Sequence, residues 1–510
     1  MLDLAIAGEV VPVREIWVGH RMRDDFFHLR HDGEATLQSQ LRQMLVSAIL
    51  QGQLPKGEPL PSCRRLAQNL SVARNTVTLA YQDLAADGFL IARERRGYFV
   101  NEQILEGRAK RIAAAPAADH RAPDWAARFQ VRPSQQHNIV KPQNWQLYPY
   151  PFIYGQFDPA LFPIADWRQC SRQALSVDAV REWASDSFTE DDPLLVEQIR
   201  TRLLPRRGIR VTADEILVTV GAQHALYLLS NLLLAAGTTV GFEDPGYVDA
   251  RNIFSLTTQR IRPLAMDEQG LIVDEQLSGC DYVYVTPSHQ FPTTATLSLD
   301  RRTRLLERAR RDDFIVIEDD YDSEINHGGS PTAALKSIDE SGRIIFLASL
   351  SKTLAPGLRL GYMVGPKALI AEARALRRLM LRHPPTNNQR TLATFLVLGH
   401  HDALCRRLRH AYRDRWEVMG GALQRHLPTC TFHRTTGGTA YWVAGPPDLD
   451  TAVVAQAATK RGVLIEPGAV HFMAKAPSHY FRLGFSSIPV KRIEPGIRIL
   501  GEIIDACSRR

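Results

Sequence analysis

The sequence is poor in cysteine and has no apolar run long enough to span a bilayer. Its six cysteines, Cys63, Cys170, Cys280, Cys405, Cys430 and Cys507, are scattered without a C-x-x-C pair. That spacing argues against a disulfide framework and a zinc knuckle, and predicts reduced thiols in a cytoplasmic protein with no metal centre. The start, "MLDLAIAGEVVPVREIW", lacks a basic n-region and a cleavage site, so neither a secretory signal nor a membrane partner is expected. No internal repeat is visible. What is present is a chain of 510 residues, 45% hydrophobic and 23% charged, which is too long for one ordinary core and normally globular. A net charge of +7 permits a polyanionic partner.

The texture changes along the chain. Residues 1–33 form an apolar-then-charged leader without a usable motif. Residues 34–101 read as helices ending in a hairpin. Residues 102–149 have linker composition: across 104–141, seven Lys and Arg stand against three Asp and Glu, with abundant Ala and Pro. From 150 to 510 short apolar runs ("EILVTVG", "TTVGFEDPG", "DYVYVTPSH", "DFIVIEDD", "RIIFLASLSK") alternate with helical stretches. Such runs, bounded by turn residues, predict α/β architecture with a mostly parallel central sheet.

Between 37 and 86 three helices are expected. "LQSQLRQMLVSAIL" places Leu37, Leu41, Leu45, Ala48 and Ile49 on one stripe, and Ser62 can cap "CRRLAQNL". After the break "SVA", a further helix begins at "RNTVTLAYQDLAADG" with Arg74, Asn75 and Thr76, types suited to base edges and phosphates. "FLIARERRGYFV" then offers two short strands around Arg93, Arg95, Arg96 and Gly97, a wing whose tip suits a minor groove. Leu60-Pro61-Ser62, Arg64, Leu66-Ala67, Leu70, Arg74, Thr76-Val77, Tyr81, Leu84, Gly88, Leu90 and Gly97-Tyr98-Phe99-Val100 resemble the GntR-type winged helix-turn-helix. That resemblance implies that Arg64, Arg74, Asn75, Thr76 and the wing face double-stranded operator DNA. Ala73 departs from it, standing where the family usually carries a capping serine, and the wing is unusually arginine-rich.

The second constellation suits pyridoxal 5′-phosphate, which needs an amine, a carboxylate at the pyridine nitrogen, a donor at O3′, an aromatic face and a phosphate cup. Lys352 follows the strand "RIIFLAS" with Ser349 and Ser351 before it and Arg359 after it, a cluster fit for a dianion. In "FIVIEDDYDSEI", Asp319 and Tyr321 sit at a strand end. In "ILVTVGAQHALYLLSNLL", Gly221 opens a helix whose first N–H groups, those of Ala222 and Gln223, suit phosphate oxygens. Tyr247 in "FEDPGY" suits stacking, and "TPSHQFP" offers His289 and Gln290 to the O3′ edge without a way to choose between them. Arg482 in "YFRLGFSS" is suited to a carboxylate.

In this order these motifs resemble the fold-type I aminotransferases over about 150–510, with a large part near 150–385 and a smaller α+β part near 386–510. The resemblance implies a Schiff base on Lys352, Asp319 at N1, Tyr321 at O3′, Tyr247 over the ring, phosphate held by Ser349, Arg359, Ala222 and Gln223, and an effector carboxylate on Arg482. Joined to the winged helix, the whole chain looks like the MocR/GabR-type transcriptional regulators; "EDDYDSE" and "SLSKTLAPGLRLGY" carry that wording. A homodimeric regulator is then expected, sensing an amino-containing small molecule through an external aldimine, with regulation rather than enzyme turnover as its main role. The alternative is an active aminotransferase with an accessory DNA-binding domain. Thr293-Thr294, where relatives tend to have glycine, and "EDDPLLVEQI", without the usual Leu-Arg, are departures near the expected pocket rim. Effector, operator and the sign of regulation are not legible in the residues.

Overall fold

The computed structural model describes residues 35–54, 56–105, 123–153, 155–322, 333–350, 352–433, 437–473 and 476–508, with residues 17, 18, 21, 22, 29, 324 and 326 besides. Most of the leader, residues 106–122 and Ser351 lie outside the described residues. The chain forms two compact units, 1–124 and 125–510.

In the first unit, helices Leu37–Leu50, Cys63–Asn69 and Arg74–Ala86 are followed by an antiparallel hairpin of Leu90–Arg93 and Gly97–Val100. The apolar stripe of the first helix (Leu41, Leu45, Ala48, Ile49) meets Leu66, Ala67, Val77, Tyr81 and Leu84 in one core. Each fully buried leucine there contributes about 2 kcal/mol. The Ser62 hydroxyl caps the second helix by accepting from Arg65 N at 3.3 Å. Ala73, at the N-cap of the third, supplies no side-chain acceptor. The Tyr81 hydroxyl donates to Pro61 O at 3.0 Å and so fixes the angle between these helices.

The second unit is built on an eight-stranded sheet ordered Ile216–Thr219, Gly361–Val364, Ile344–Ser349, Ile315–Asp320, Tyr282–Val285, Val240–Asp244, Ile261–Asp267, Gly270–Leu271. Strand 361–364 is antiparallel to both neighbours, and 270–271 is antiparallel to 261–267; the remaining strands run one way. Nearly every residue of the central strands is buried, because helices cover both faces; this is why they read as unbroken apolar runs. The carboxyl ends of 216–219, 240–244, 282–285, 315–320 and 344–349 therefore all open on one edge of the sheet. A second, antiparallel sheet (Thr431–Phe432, Ala440–Ala444, Tyr480–Gly484, Glu466–Pro467) belongs to the carboxy-terminal part.

The stretch with linker composition does not behave uniformly. Residues 125–149 belong to the second unit. Gln136 donates to Asn252 O and Ser255 Oγ, Asn252 donates to His137 O and Asn138 Oδ1, and Ile139 packs beside Phe291, Tyr321 and Ala440. Amide side chains and one apolar residue tie down a segment whose composition alone predicts free chain.

Candidate functional site

At the carboxyl edge of the large sheet a cavity of about 200 Å³ is lined by Ala222, Gln223, Tyr247, Phe291, Asp319, Tyr321, Ser349, Lys352, Pro356 and Arg359. Eight of the residues singled out in the sequence thus meet, although up to 137 positions separate them. Most arrive at a strand end or just after it, whereas Arg359 stands two residues before strand 361–364.

Lys352 stands three residues past strand 344–349, and its ammonium group lies against Gly155, where an added Cβ would sit 2.9 Å from Nζ. Burial, then the nearby charges of Lys141 and Arg482, push its pKa down to about 8. The amine therefore loses its proton more readily than an exposed lysine. Asp319 is buried at the end of strand 315–320. Its Oδ2 accepts from the Tyr284 hydroxyl at 2.7 Å, whereas Oδ1 is buried with no hydrogen-bond partner among the described residues. Burial, reinforced by Asp320 and Asp322, pushes the carboxyl up to about 7 against the opposing pull of Tyr284 and Lys352. A cation at Oδ1 would bring it back down.

Opposite, helix Ala222–Leu233 begins after Gly221, whose φ of 80° puts it in the left-handed region, and no side chain caps its first N–H groups. The Gln223 side chain is engaged elsewhere, donating to Tyr247 Oη at 3.3 Å and Asp249 at 2.5 Å. Arg359 donates to Val220 O at 3.0 Å and lies across Gly221, where a Cβ would meet its guanidinium at 3.1 Å. A helix N-terminus, a serine hydroxyl and a guanidinium are groups whose chemistry suits a dianion. The Tyr247 ring, oriented by its 3.1 Å bond to Asp249, meets Phe291 edge-on.

Three expected residues stand outside the lining. His289 is buried and bonded through Nδ1 to Asp322 at 2.8 Å. The Gln290 amide is engaged, donating to Pro245 O and Phe291 O and accepting from Thr293 N. Neither is among the lining residues; Phe291, the next residue, is. Arg482 is fully buried in strand 480–484, its guanidinium 4.1 Å from the centre of the Phe291 ring, one layer behind the lining. Tyr284, Gly155 and Lys141 stand close to Asp319 or Lys352 without any motif that marks them in the sequence. Lys141 pairs with Glu466 at 3.3 Å and approaches the same side of Gly155 as Lys352, with its Nζ 3.6 Å from an added Cβ. The only available signal was a lone lysine at the end of a basic, Ala/Pro-rich stretch.

On the first unit, Arg64, Arg74, Asn75, Arg93, Arg95, Arg96 and Gly97 are exposed and Thr76 half-exposed. Arg74, Asn75 and Thr76 form the first turn of the third helix. At the hairpin tip Arg95 and Gly97 take positive φ (57° and 94°), which turns the chain within the Arg-Glu-Arg-Arg-Gly stretch. Arg93 stacks on Phe99 at 4.5 Å.

Comparison with known proteins agrees with both halves. Residues 37–100 match the model of the bacterial regulatory proteins of the gntR family, and residues 180–500 that of the class I and II aminotransferases. The chain is 42% identical to the HTH-type transcriptional regulator TauR of Rhodobacter capsulatus, over 92% of this chain and 97% of that protein. It is 29% identical to the probable rhizopine catabolism regulatory protein MocR of Rhizobium meliloti, covering 92% of this chain and 94% of the relative. The kynurenine aminotransferase of Pyrococcus horikoshii, solved with PMP, superposes with a TM-score of 0.69 at 26% identity, covering 75% of this chain and 98% of that one. No helix among the described residues is long and apolar enough to cross a membrane. The chain therefore belongs to the MocR-type family of HTH transcriptional regulators, in which a gntR-family DNA-binding domain is joined to a class I and II aminotransferase domain with pyridoxal 5′-phosphate as its cofactor.

Proposed function

We propose that this regulator holds its cofactor on Lys352 and reads the arrival of a small primary amine as a change in its grip on operator DNA. The observation that carries the reading is the pairing, in one chain, of an exposed arginine-bearing helix start with a cavity where Lys352, Asp319 and an uncapped helix N-terminus converge. When bound, the cofactor supplies an aldehyde carbon that Lys352 and an incoming amine compete to occupy. The site's own residues fit that group. Asp319 Oδ1, buried and without a hydrogen-bond partner among the described residues, suits a protonated ring nitrogen. Tyr321 suits the ring hydroxyl, Tyr247 and Phe291 the faces and rim, and the N–H groups of Ala222 and Gln223 with Ser349 and Arg359 the phosphate. Lys352, held near pKa 8, gives up and takes back a proton near neutrality. Arg482, behind Phe291, suits an anionic group on the effector once that ring yields.

On the DNA side, Arg64, Arg74, Asn75 and Thr76 supply phosphate and base contacts, and Arg93, Arg95, Arg96 and Gly97 a wing. The family's architecture supports a homodimer reading paired half-sites. Any amine that binds two arrangements of the protein unequally shifts the equilibrium between them.

The same pocket favours a second reading, an active aminotransferase, because a readily deprotonated Lys352 is also what a proton shuttle requires. One experiment separates the two. Full-length protein loaded with cofactor is given amines with and without a keto acid, in wild type and Lys352→Ala. Spectral change that needs Lys352, without sustained product formation, supports the sensor. Steady turnover at ordinary enzyme rates, above about 1 per second, supports the enzyme. Loss of cofactor absorbance in neither protein sinks the assignment of Lys352.

A further inference from the structure

Away from the cofactor cavity, a second cluster of chemically capable side chains lies where the segment after strand 315–320 meets the long helix His400–His426. His401 and Cys405 are one turn apart on that helix, so both project from the same face, and both are buried. Glu324, partly exposed, comes in from the other segment. Glu324 Oε2 is 2.8 Å from Cys405 Sγ and 3.2 Å from His401 Nε2, and the sulfur is 3.8 Å from Nε2.

We propose that Glu324, His401 and Cys405 form a binding site for one divalent cation of the zinc class, separate from the cofactor site. A four-coordinate zinc ion with ordinary bond lengths sets its sulfur, nitrogen and oxygen ligands about 3.2–3.6 Å apart. The three distances here bracket that range, so each side chain need shift only by a fraction of an ångström. A thiolate, an imidazole and a carboxylate select zinc, cobalt or a related borderline ion over magnesium or calcium. Three protein ligands leave a fourth position for water, and the exposed edge of Glu324 gives the ion a way in.

A metal-bound cysteine is a thiolate. The ion therefore displaces one proton from Cys405 to solvent and becomes the cation that Glu324 and the new thiolate share. The expectation of no metal rested on cysteine spacing, which cannot reveal a site assembled from two segments.

Occupancy has a structural consequence. Glu324 lies five residues past Asp319 and two past Asp322, the partner of His289. The bound ion clamps this acidic segment to the helix 400–426. The proposal does not depend on how the cofactor pocket is read.

The test is a titration of chelator-dialysed, cofactor-loaded full-length protein with Co²⁺, followed by its visible ligand-field bands, which lie to the red of cofactor absorption. Wild type is expected to show saturating bands of a four-coordinate ion at one equivalent per chain, bleached by Zn²⁺. Cys405→Ala and His401→Ala lose the bands, while Cys507→Ala keeps them. Glu324→Gln, altering only a partly exposed side chain, weakens the apparent affinity by about tenfold or more. Absence of the bands in wild type overturns the site, as does their persistence in Cys405→Ala or an unchanged affinity in Glu324→Gln. Where the buried variants fail to fold, wild type and Glu324→Gln decide. Without an ion, the three side chains are simply a hydrogen-bonded cluster, the state that a negative titration identifies.

Discussion

The Tyr284 hydroxyl donates to Asp319 Oδ2 at 2.7 Å from the adjacent parallel strand, while Oδ1 is buried with no hydrogen-bond partner among the described residues. The register of the two strands makes the pair: Tyr284 lies beside Ile317, so its long side chain reaches the carboxyl two residues further on. This bond favours the ionised carboxylate against a burial cost that favours the acid. Tyr284→Phe is expected to weaken cofactor binding by about 1.5–3 kcal/mol, the usual worth of a hydrogen bond to a charged group. A fluorescence titration of cofactor into stripped full-length protein measures it. Affinity unchanged from wild type contradicts the role given to this pair.

The pH dependence of the cofactor-free protein follows from two opposed groups. Lys352 titrates near 8 when folded against an ordinary 10.5, so between those values the unfolded chain holds the extra proton and stability rises with pH. Asp319 titrates near 7 against an ordinary 3.8, so between those values the folded chain holds the extra proton and stability falls as pH rises. Glu243 and Glu318, both buried and pushed up to about 7, add to that fall. Urea midpoints across pH should show both limbs. Asp319→Asn makes the acid limb shallower, and Lys141→Ala moves the start of the alkaline limb upward by removing a neighbouring positive charge. Superimposable profiles for wild type and variants contradict these assignments.

Ala73 leaves the third helix of the winged domain without a side-chain cap. Ala73→Ser, with backbone already extended at φ −62° and ψ 140°, supplies an acceptor without rearrangement. The winged-domain transition in calorimetry of the full chain should gain about 1 kcal/mol. No gain, or a loss, shows that the cap geometry is not met.

Arg74 and Asn75 are exposed in the first turn of that helix, and Arg95 is exposed at the wing tip. Arg74→Ala is expected to weaken operator binding by about 1–3 kcal/mol and relax sequence preference if the arginine reads a base. Loss of a phosphate contact instead weakens all sequences alike and lowers the salt slope by about one. A footprint and salt slope identical to wild type remove this helix from the interface.

The helices of the winged domain were legible because each announces itself locally: a 3.6-residue apolar stripe, a capping serine, a glycine at the hairpin. The pocket was legible for a different reason. A parallel sheet gathers its strand ends on one edge, so motifs placed after strands converge however far apart they lie in sequence. What escaped was whatever depends on register or on packing between distant segments. Tyr284 reads as one more residue of a buried strand until its neighbour is known. Lys141 sits in a stretch with the composition of free chain, and its partner Glu466 is 325 positions away. Between His289 and Gln290 the side chains gave no basis for choice, because both are consumed by bonds the sequence does not display.

Under the proposed function, an amine captured at Lys352 alters the hold on DNA. The most direct measurement is fluorescence anisotropy of cofactor-loaded full-length protein on the DNA fragment flanking its own gene, with a panel of primary amines. In wild type, at least one amine that changes the cofactor spectrum should shift DNA affinity about fivefold or more. In Lys352→Ala the same amine should shift nothing. An equal shift in both proteins, or spectral capture with DNA affinity unmoved, contradicts the account.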